Sequence, residues 1–186
     1  MLRVNRQKYG IHYFTEQRIQ NVLPYCKGSL LDIGCGTNEL VKRYGNGIGV
    51  DIVDWGGGAT IVTDTSQLPY PAGTFDTVTF LASLNHIPNR KEVLKEAARL
   101  IKPDGALIVT MINPLLGIIA HKFFFWVGEE KVRGRQEGEK DGMWTKEIFS
   151  LAREAGFRLK THKKFLFLMN NLYIFVPNKK GVAHGR

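Results

Sequence analysis

The stretch Leu30–Gly36 reads Leu-Leu-Asp-Ile-Gly-Cys-Gly and decides the fold of this chain. Its apolar first part is typical of a buried strand. Gly34 and Gly36 can adopt backbone angles that side chains forbid, so the chain can turn sharply there and let a ligand approach its backbone. Asp32 adds a carboxylate near the carboxyl end of the strand. Because ligands of open parallel sheets bind in the crevice beyond those ends, the stretch predicts a ligand site at this turn.

Length and composition indicate one ordinary globular domain. The chain has 186 residues, of which 44% are hydrophobic and 23% are charged, and we expect residues 1–186 to form a single domain. The formal net charge of +9 favours contact with an anionic partner. The basic residues form no single long tract, however, so a solvated basic surface explains the charge better than a nucleic-acid site.

The two cysteines and the N-terminal residues bear on the compartment. Cys26 and Cys35 show no paired spacing that suggests a metal site or a disulfide framework, so we expect no metal and a reducing environment. The first residues lack the apolar core of a signal peptide, and no apolar stretch is long enough to span a bilayer. These observations together predict a cytoplasmic protein.

Apolar strand patterns alternate with helical patterns over most of the chain. After the first strand, further strands are predicted at Gly47–Asp51, Ala59–Thr63, Phe75–Leu81, Ala106–Met111, Phe157–Thr161 and Leu172–Val176. Helices are predicted at Glu16–Leu23, Glu39–Arg43 and Arg90–Ile101, and from an N-cap at Thr145 to Ala155. Phe165–Met169 is predicted either to extend a strand or to pack over the sheet. Strands that alternate with helices imply right-handed crossovers and a mainly parallel sheet.

Residues 112–143 break this alternation. Leu115–Val127 is apolar and aromatic, whereas Gly128–Gly142 is charged and glycine-rich, as in a mobile loop. We expect residues 112–143 to be an inserted lid and flap over the substrate site, and residues 177–186 to be a flexible tail.

Two more acids follow predicted strands at the same edge of the sheet. Asp51 ends the second strand and can accept hydrogen bonds from two ribose hydroxyls. Asp64 follows the third strand and can accept a bond from the exocyclic amine of adenine, unless it serves as a turn or helix-cap residue. A dinucleotide fingerprint would have a third glycine at Glu39, whose charge opposes a diphosphate. The pattern suits a cationic nucleoside without phosphate.

In order and spacing, five segments resemble the class I S-adenosylmethionine-dependent methyltransferases, in particular the type 11 small-molecule group. They are Leu30–Asn38, Gly49–Asp51, Thr63–Phe75, Asp76–Pro88 and Glu96–Thr110. The resemblance covers residues 29–111, with weaker agreement to about residue 176. It implies an α/β Rossmann-like methyltransferase fold whose mostly parallel seven-stranded sheet has the order 3-2-1-4-5-7-6 and carries helices on both faces. It also implies S-adenosylmethionine (SAM) as the cofactor.

The resemblance implies that the first segment holds the methionine and ribose part of the cofactor. Asp32, Gly34 and Gly36 would line this part, and Cys35 would contribute its backbone. The glycine that usually follows Thr37 is replaced by Asn38, which also tolerates left-handed backbone angles.

The later segments would hold the rest of the cofactor. Asp51 would bind the ribose hydroxyls and Ile52 would lie against the adenine face. Asp64 with Thr65 would meet the adenine edge. The cofactor's amino group would lie near the backbone that follows the fourth strand, at Leu81 and Ala82.

His86 stands where this group often has a histidine near the methyl-transfer centre. The reaction requires a nucleophile held in line with the carbon–sulfur bond and the exclusion of water, so it needs no fixed triad. A hydroxyl or ammonium acceptor also needs a base, and imidazole titrates near physiological pH. His86 is therefore the candidate base; a helix cap or a substrate contact is the alternative.

The apolar part of the insert suggests a class of acceptor. We hypothesise that Leu115–Val127 forms a helical lid for a small apolar or lipid-like acceptor at a membrane surface. Its neighbouring cations would meet anionic headgroups: Lys122, Lys131, Arg133 and Arg135. The alternatives are that Phe123–Trp126 packs on the sheet as core, or that these aromatic residues form a homodimer interface.

The leading interpretation is methyl transfer from SAM to a small-molecule acceptor. A non-catalytic SAM-binding protein is the non-enzyme alternative. A nucleic-acid methyltransferase would draw on the positive charge, but Ala82-Ser83-Leu84-Asn85 stands where a segment such as Asn-Pro-Pro-Tyr would be expected. Glu39 disfavours a nicotinamide dehydrogenase.

Overall fold

The computed structural model describes residues 9–114 and 137–178, which form a seven-stranded sheet with helices packed on it. The strands are β1 (Leu30–Ile33), β2 (Gly47–Asp51), β3 (Thr60–Ile61), β4 (Phe75–Leu81), β5 (Ile101–Ile112), β6 (Phe157–Phe165) and β7 (Asn170–Pro177). The helices are α1 (Tyr9–Val22), α2 (Glu39–Tyr44), α3 (Arg90–Leu100) and α4 (Thr145–Glu154). Short 3₁₀ turns lie at Leu23–Tyr25 and Leu84–His86.

The strand order is β3-β2-β1-β4-β5-β7-β6, which confirms the order that the resemblance implied. The pairs from β3 to β5 are parallel, whereas β7 lies antiparallel between β5 and β6. Because β1 and β2 are neighbours, the turns that follow them meet at one edge of the sheet. That edge is the crevice where ligands of such sheets bind.

Apolar side chains from the central strands pack on both faces of the sheet. On one face the buried residues of α3 and α4, such as Leu94 and Ile148, belong to one cluster with Leu31 and Val109. On the other face α1 and α2 contribute to a second cluster around Ile108. Alternation along β5 sends Val109 and Ile108 to opposite faces, as the period of a strand requires.

Several local predictions need correction. The strand predicted at Ala106–Met111 begins five residues earlier, because β5 continues through a register shift between its pairings with Phe75 and Thr77 of β4. The third strand has two residues rather than five. Thr145 is not the N-cap of α4: Trp144 occupies that position, and the Thr145 hydroxyl instead lies 2.8 Å from the hydroxyl of Tyr173.

The connection between β6 and β7 agrees with the predicted strand extension at Phe165 only. Phe165 extends β6, but Leu166–Met169 forms a tight turn closed by a 3.0 Å bond from the Met169 N–H to the Leu166 carbonyl. Leu166, Phe167 and Leu168 have φ values of +55°, +52° and +67°. Hairpin turns with two positive φ angles favour Asn-Gly, and each left-handed residue with a side chain costs about 1–2 kcal/mol.

Most of the predicted insert and tail lies outside the described residues. The structure describes residues 112–114 and 137–143 of the lid and flap, and residues 177 and 178 of the tail. Of the helices in the described ranges, none is long and apolar enough to span a bilayer.

Candidate active site

The glycine turn after β1 packs closely against its surroundings. Gly34 and Gly36 both have left-handed angles, with φ of +71° and +57°. The N–H groups of Gly34 and Cys35 donate to the carbonyl of Val50 at 2.9 and 3.2 Å. A Cβ atom on Gly34 would lie 2.6 Å from the Cβ of Ser83. The turn therefore requires glycine at this position for its backbone angles and for its packing.

Asn38 adopts the left-handed conformation expected where the family usually has glycine, with φ of +62°. It occupies the N-cap position of α2, and its side-chain N–H donates to the carbonyl of Gly58 at 3.2 Å. The substitution of asparagine for glycine thus preserves the turn and links it to the loop that follows β2.

Asp51 joins the end of β2 to the glycine turn. Its Oδ2 accepts a 2.8 Å bond from the Gly36 N–H, and its Oδ1 accepts a 3.0 Å bond from the Val53 N–H. The side chain is buried but still lines a cavity at the edge of the sheet. Each carboxylate oxygen has a further lone pair, so Asp51 can accept hydrogen bonds from a ligand's hydroxyls.

Asp64 is held in a local turn and also lines the cavity. Its Oδ1 accepts bonds from the backbone N–H and the hydroxyl of Ser66, both at 2.8 Å, and a 3.3 Å bond from the Asn89 side chain. The backbone N–H of Ser66 is the main reason why the pKa of Asp64 is lowered. Asp64 therefore does serve as a turn residue, which was the alternative prediction. The same turn holds its ionised carboxylate in the cavity lining.

Asp32 is buried in the central strand β1 and does not line the cavity. Its side chain is 1% exposed because β1 is a central strand whose four residues are all buried. Oδ1 accepts a 2.6 Å bond from the Thr79 hydroxyl, whereas Oδ2 has no partner among the described residues. Burial raises the pKa of Asp32 to about 7, and the nearby charge of Asp51 acts in the same direction. Asp32 is thus the one predicted cofactor residue outside the cavity lining, and its contact with the cofactor stays a prediction.

The cavity has a volume of about 610 Å³, within the range of small-molecule sites. It is lined by every predicted site residue apart from Asp32, namely Gly34, Cys35, Gly36, Asp51, Ile52, Asp64, Thr65, Leu81, Ala82 and His86. Ala82 has an unusual positive φ of +55°, and its N–H donates to the carbonyl of Thr110 at 3.2 Å. The residues that the sequence assigned to one cofactor site therefore do surround one cavity.

The charge of the cavity suits a cation. Its described lining includes four acids, Glu39, Asp51, Asp64 and Asp141, and one strongly basic residue, Arg18. A ligand with a sulfonium and an ammonium group would be attracted to this lining, whereas a diphosphate would be repelled. This charge and the glycine turn are the features of the chain itself that fit SAM.

Several residues of the lining were not among the predicted site residues. Thr15 and Arg18 come from α1, and Trp55 comes from the loop after β2. An aromatic residue close behind the ribose acid was a usable signal for Trp55, since a ring there can cover a base. No sequence signal indicated α1, because its contact with the cavity depends on how the helix packs across the sheet.

His86 lies in the lining and contacts two polar side chains. The side-chain nitrogen of Asn85 lies 3.1 Å from Nε2 of His86, and Oε2 of Glu139 lies 3.4 Å from Nδ1. The Asn85 nitrogen also donates to the Lys140 carbonyl at 2.9 Å, which fixes the orientation of the amide. Because Nε2 must then accept, the neutral ring carries its hydrogen on Nδ1 and donates it to Glu139.

Glu139 is held beside His86 by a clamp that involves Arg90. Nη2 of Arg90 donates one hydrogen bond to the carbonyl of Asn85 and one to the carbonyl of Gly138, each at 2.7 Å. The Lys140 N–H donates to the Asn85 carbonyl at 3.0 Å. Residues 138–140 are therefore fixed to the 3₁₀ turn that carries His86. The sequence assigned these residues to a flap, and nothing in their pattern indicated an acid next to His86.

Comparisons with known proteins agree with this geometry. A family model described as a methyltransferase domain matches residues 8–162. A 27-O-demethylrifamycin SV methyltransferase of Amycolatopsis mediterranei is 33% identical over 111 residues, which are 48% of this chain and 41% of that protein. A ubiquinone/menaquinone biosynthesis C-methyltransferase of Ectopseudomonas mendocina is 26% identical over 122 residues, 52% of this chain and 48% of that protein. The chain spans about two fifths of the length of the first curated relatives it matches.

A solved structure extends the agreement to the whole fold. A SAM-dependent methyltransferase of Thermotoga maritima superposes with a TM-score of 0.70 at 20% identity, and the match covers 90% of this chain and 92% of that one. The family match over most of the chain, the strand order and the acid-lined glycine turn agree with one another. This chain belongs to the methyltransferase-domain family, and it shares its fold with a solved SAM-dependent methyltransferase.

Proposed function

We propose that this protein transfers a methyl group from SAM to a small apolar acceptor, and that both bind in the cavity at the edge of the sheet. The observation that carries this proposal is the position of Asp51. It contacts the glycine turn through Gly36 and lines the cavity, so one residue couples the shape of the turn to a ribose site. Asp64 would meet the adenine edge and Ile52 its face.

The apolar walls beside the acids support this placement of the nucleoside. Ile52 is 41% exposed, a large value for a residue that follows a buried strand, and Trp55 also lines the cavity. An adenine ring would cover these side chains and remove their apolar surface from water. Asp64 belongs to the same lining and offers an acceptor to the exocyclic amine.

The acceptor would occupy the part of the cavity near His86, Pro88 and Ile112. The two relatives described above are named for a rifamycin and for quinone biosynthesis, which are largely apolar compounds. Their names support an apolar acceptor here. The hypothesis that Leu115–Val127 covers this acceptor at a membrane surface falls outside the described residues and stays a prediction.

The cofactor supplies a methyl group that is activated by its sulfonium. The residues of this chain would orient the acceptor, exclude water and, for a hydroxyl or ammonium acceptor, take up a proton. We assign that proton to Nε2 of His86. The acceptor would replace the Asn85 side chain as the hydrogen-bond donor to Nε2, and Asn85 would keep its bond to the Lys140 carbonyl.

Glu139 would complete this arrangement as a positioning residue. It accepts the hydrogen of Nδ1, so it holds the ring with Nε2 free to accept and stabilises the imidazolium after proton transfer. Because its side chain is 2% exposed and faces an imidazole, its charge would not be screened by solvent to any large extent.

Calorimetric titration with SAM and with its demethylated product, followed by turnover in a screen of apolar acceptors, tests the proposal. We expect both nucleosides to bind, and a quinol- or phenol-type acceptor to be methylated. Binding without turnover on any acceptor would favour the non-catalytic alternative. Absence of binding, in a sample whose circular dichroism shows a folded protein, would contradict the proposal.

A further inference from the structure

The turn between β6 and β7 exposes two large apolar side chains that the cavity does not use. Phe167 is 90% exposed and Leu168 is 65% exposed. Both have positive φ angles, which glycine or asparagine adopts more readily than phenylalanine or leucine. These side chains therefore neither fill the core nor suit the backbone of the turn. Two exposed apolar side chains of this size point to a contact outside the described part of the chain.

Basic residues surround the turn, and acidic residues are absent from its part of the sequence. Arg158, Lys160, Lys163 and Lys164 lie on the exposed edge strand β6, and residues 155–186 contain no Asp or Glu. Nζ of Lys163 lies 5.1 Å from the ring centre of Tyr25, which places it on the face that carries α1. Lys164 is the next residue along the strand and so points to the opposite face. Cations thus flank the apolar turn on both sides of the sheet.

The turn lies beside the cavity at the same edge of the sheet. Asn170 follows the turn and pairs with Ile112, which lines the cavity. Arg18, also in the cavity lining, donates from Nε to Oδ1 of Asn170 at 3.3 Å. Met169 accepts a 3.1 Å bond from the N–H of Asn113, just after β5. A surface that contacts this turn would therefore lie next to the mouth of the cavity.

We propose that the Leu166–Met169 turn and the lysines of β6 form a docking site for an anionic lipid surface. Phe167 and Leu168 enter the interfacial region of the bilayer, while Lys163 and Lys164 contact phosphate groups of the lipids. Apolar area and basic charge contribute together to such binding. A nucleic acid would use the lysines but gains little from an exposed leucine, so the combination favours lipid.

Docking in this orientation brings the cavity to the membrane surface, where an apolar acceptor can enter it directly from the bilayer. This consequence rests on the proposed function, whereas the docking itself does not. The site is also separate from the one predicted at Leu115–Val127, since it uses a different segment of the chain.

Co-sedimentation of the full chain with vesicles tests the docking site. The probes are vesicles of phosphatidylcholine with phosphatidylglycerol and vesicles of phosphatidylcholine alone. The wild type should bind the anionic vesicles, and added salt should weaken this binding. The double variant Phe167→Gly, Leu168→Gly should bind about tenfold more weakly, because the apolar contacts are lost. Its thermal midpoint should be unchanged or higher, because glycine suits the positive φ angles.

The basic residues are tested by a second variant. Lys163→Gln with Lys164→Gln should weaken binding about tenfold and reduce its salt dependence. Lys95→Gln with Lys146→Gln removes the same charge from exposed positions on α3 and α4 and should bind more strongly than the β6 variant.

Ile61→Ser is the apolar control. Ile61 is 48% exposed and lies on β3, the outermost strand on the side of the sheet away from β6. It should bind vesicles as the wild type does.

Wild-type protein that does not bind anionic vesicles would overturn the docking site, and so would turn variants that bind as the wild type does. Lysine variants that lose affinity for duplex DNA but not for vesicles would assign the patch to nucleic acid instead. Calorimetry measures SAM binding by the turn variant separately. Loss of vesicle binding with normal SAM binding concerns the docking site alone, whereas loss of SAM binding concerns the proposed function.

Discussion

The Thr79 hydroxyl donates a 2.6 Å hydrogen bond to Oδ1 of Asp32, and Oδ2 of the same carboxylate has no partner in the described part of the chain. Both residues lie on adjacent central strands, β1 and β4, and both are fully buried. A single hydrogen bond does not replace the solvation that a carboxylate loses on burial. The carboxyl group of Asp32 therefore favours its protonated form more than an exposed aspartate does.

Replacement of Asp32 by asparagine should make stability less dependent on pH. The folded-state pKa of about 7 lies above the ordinary value near 3.9, so the folded protein keeps a proton that the unfolded chain has lost. The protonated carboxyl group of Asp32 thus contributes its full share of the unfolding free energy below about pH 4, and this share is lost as the pH rises toward 7. Between about pH 4 and pH 8, the wild type should lose about 2–4 kcal/mol of unfolding free energy relative to Asp32→Asn.

Denaturant unfolding at a series of pH values measures this difference. Asp54→Asn serves as a control, since Asp54 is exposed and its Oδ1 accepts only a local bond from the Gly56 N–H. Unfolding free energies of the wild type and Asp32→Asn that stay parallel over the whole range would contradict the prediction.

The local sequence pattern was sufficient to predict the edge of the sheet at which the cavity lies. The strand Gly47–Asp51 has the bounds that were predicted, and its acid lies in the cavity lining. The strand Phe75–Leu81 also has the predicted bounds. Buried strands that end in glycine or an acid are visible in sequence because both the apolar run and its end are local features.

Features that depend on packing across the chain were not predictable. Asp32 and Asp51 both follow apolar residues near a strand end, yet only Asp51 lines the cavity. Asp51 is the last residue of β2, whereas Asp32 is followed by one more residue of β1. The contact of Glu139 with His86 joins positions 53 residues apart. The turn at Phe167 has positive φ angles at residues that rarely adopt them. Residue propensity therefore predicted a strand or core packing for this segment instead of a turn.

Asp51→Asn should weaken SAM binding about tenfold to a hundredfold. The asparagine nitrogen cannot accept hydrogen bonds, and the negative charge beside a cationic ligand is lost. Calorimetric titration gives the dissociation constant directly. Asp54→Asn is again the matched control, because Asp54 lies three residues further on and is absent from the cavity lining. Equal affinity of the two variants would remove Asp51 from the ribose site.

Gly34→Ala should destabilise the protein more than Gly45→Ala does. Both glycines have positive φ angles, so either alanine costs about 1 kcal/mol in backbone conformation. A Cβ atom on Gly45 meets nothing within 4 Å, whereas one on Gly34 meets the Cβ of Ser83 at 2.6 Å. This contact should add about 1–3 kcal/mol. Thermal and denaturant unfolding provide the comparison, and equal losses for the two variants would show that the turn can relax.

Glu139→Gln should lower kcat about tenfold while the dissociation constant for SAM stays unchanged. The glutamine side chain has nearly the same shape, but it has no charge with which to stabilise an imidazolium at His86. Steady-state kinetics with an acceptor found in the screen, together with calorimetry, separates turnover from binding. Glu137→Gln is the control, because Glu137 is an exposed acid two residues away and should be silent in both measurements. If Glu139→Gln instead weakens SAM binding and leaves kcat intact, the buried acid supports the cofactor site and does not position His86.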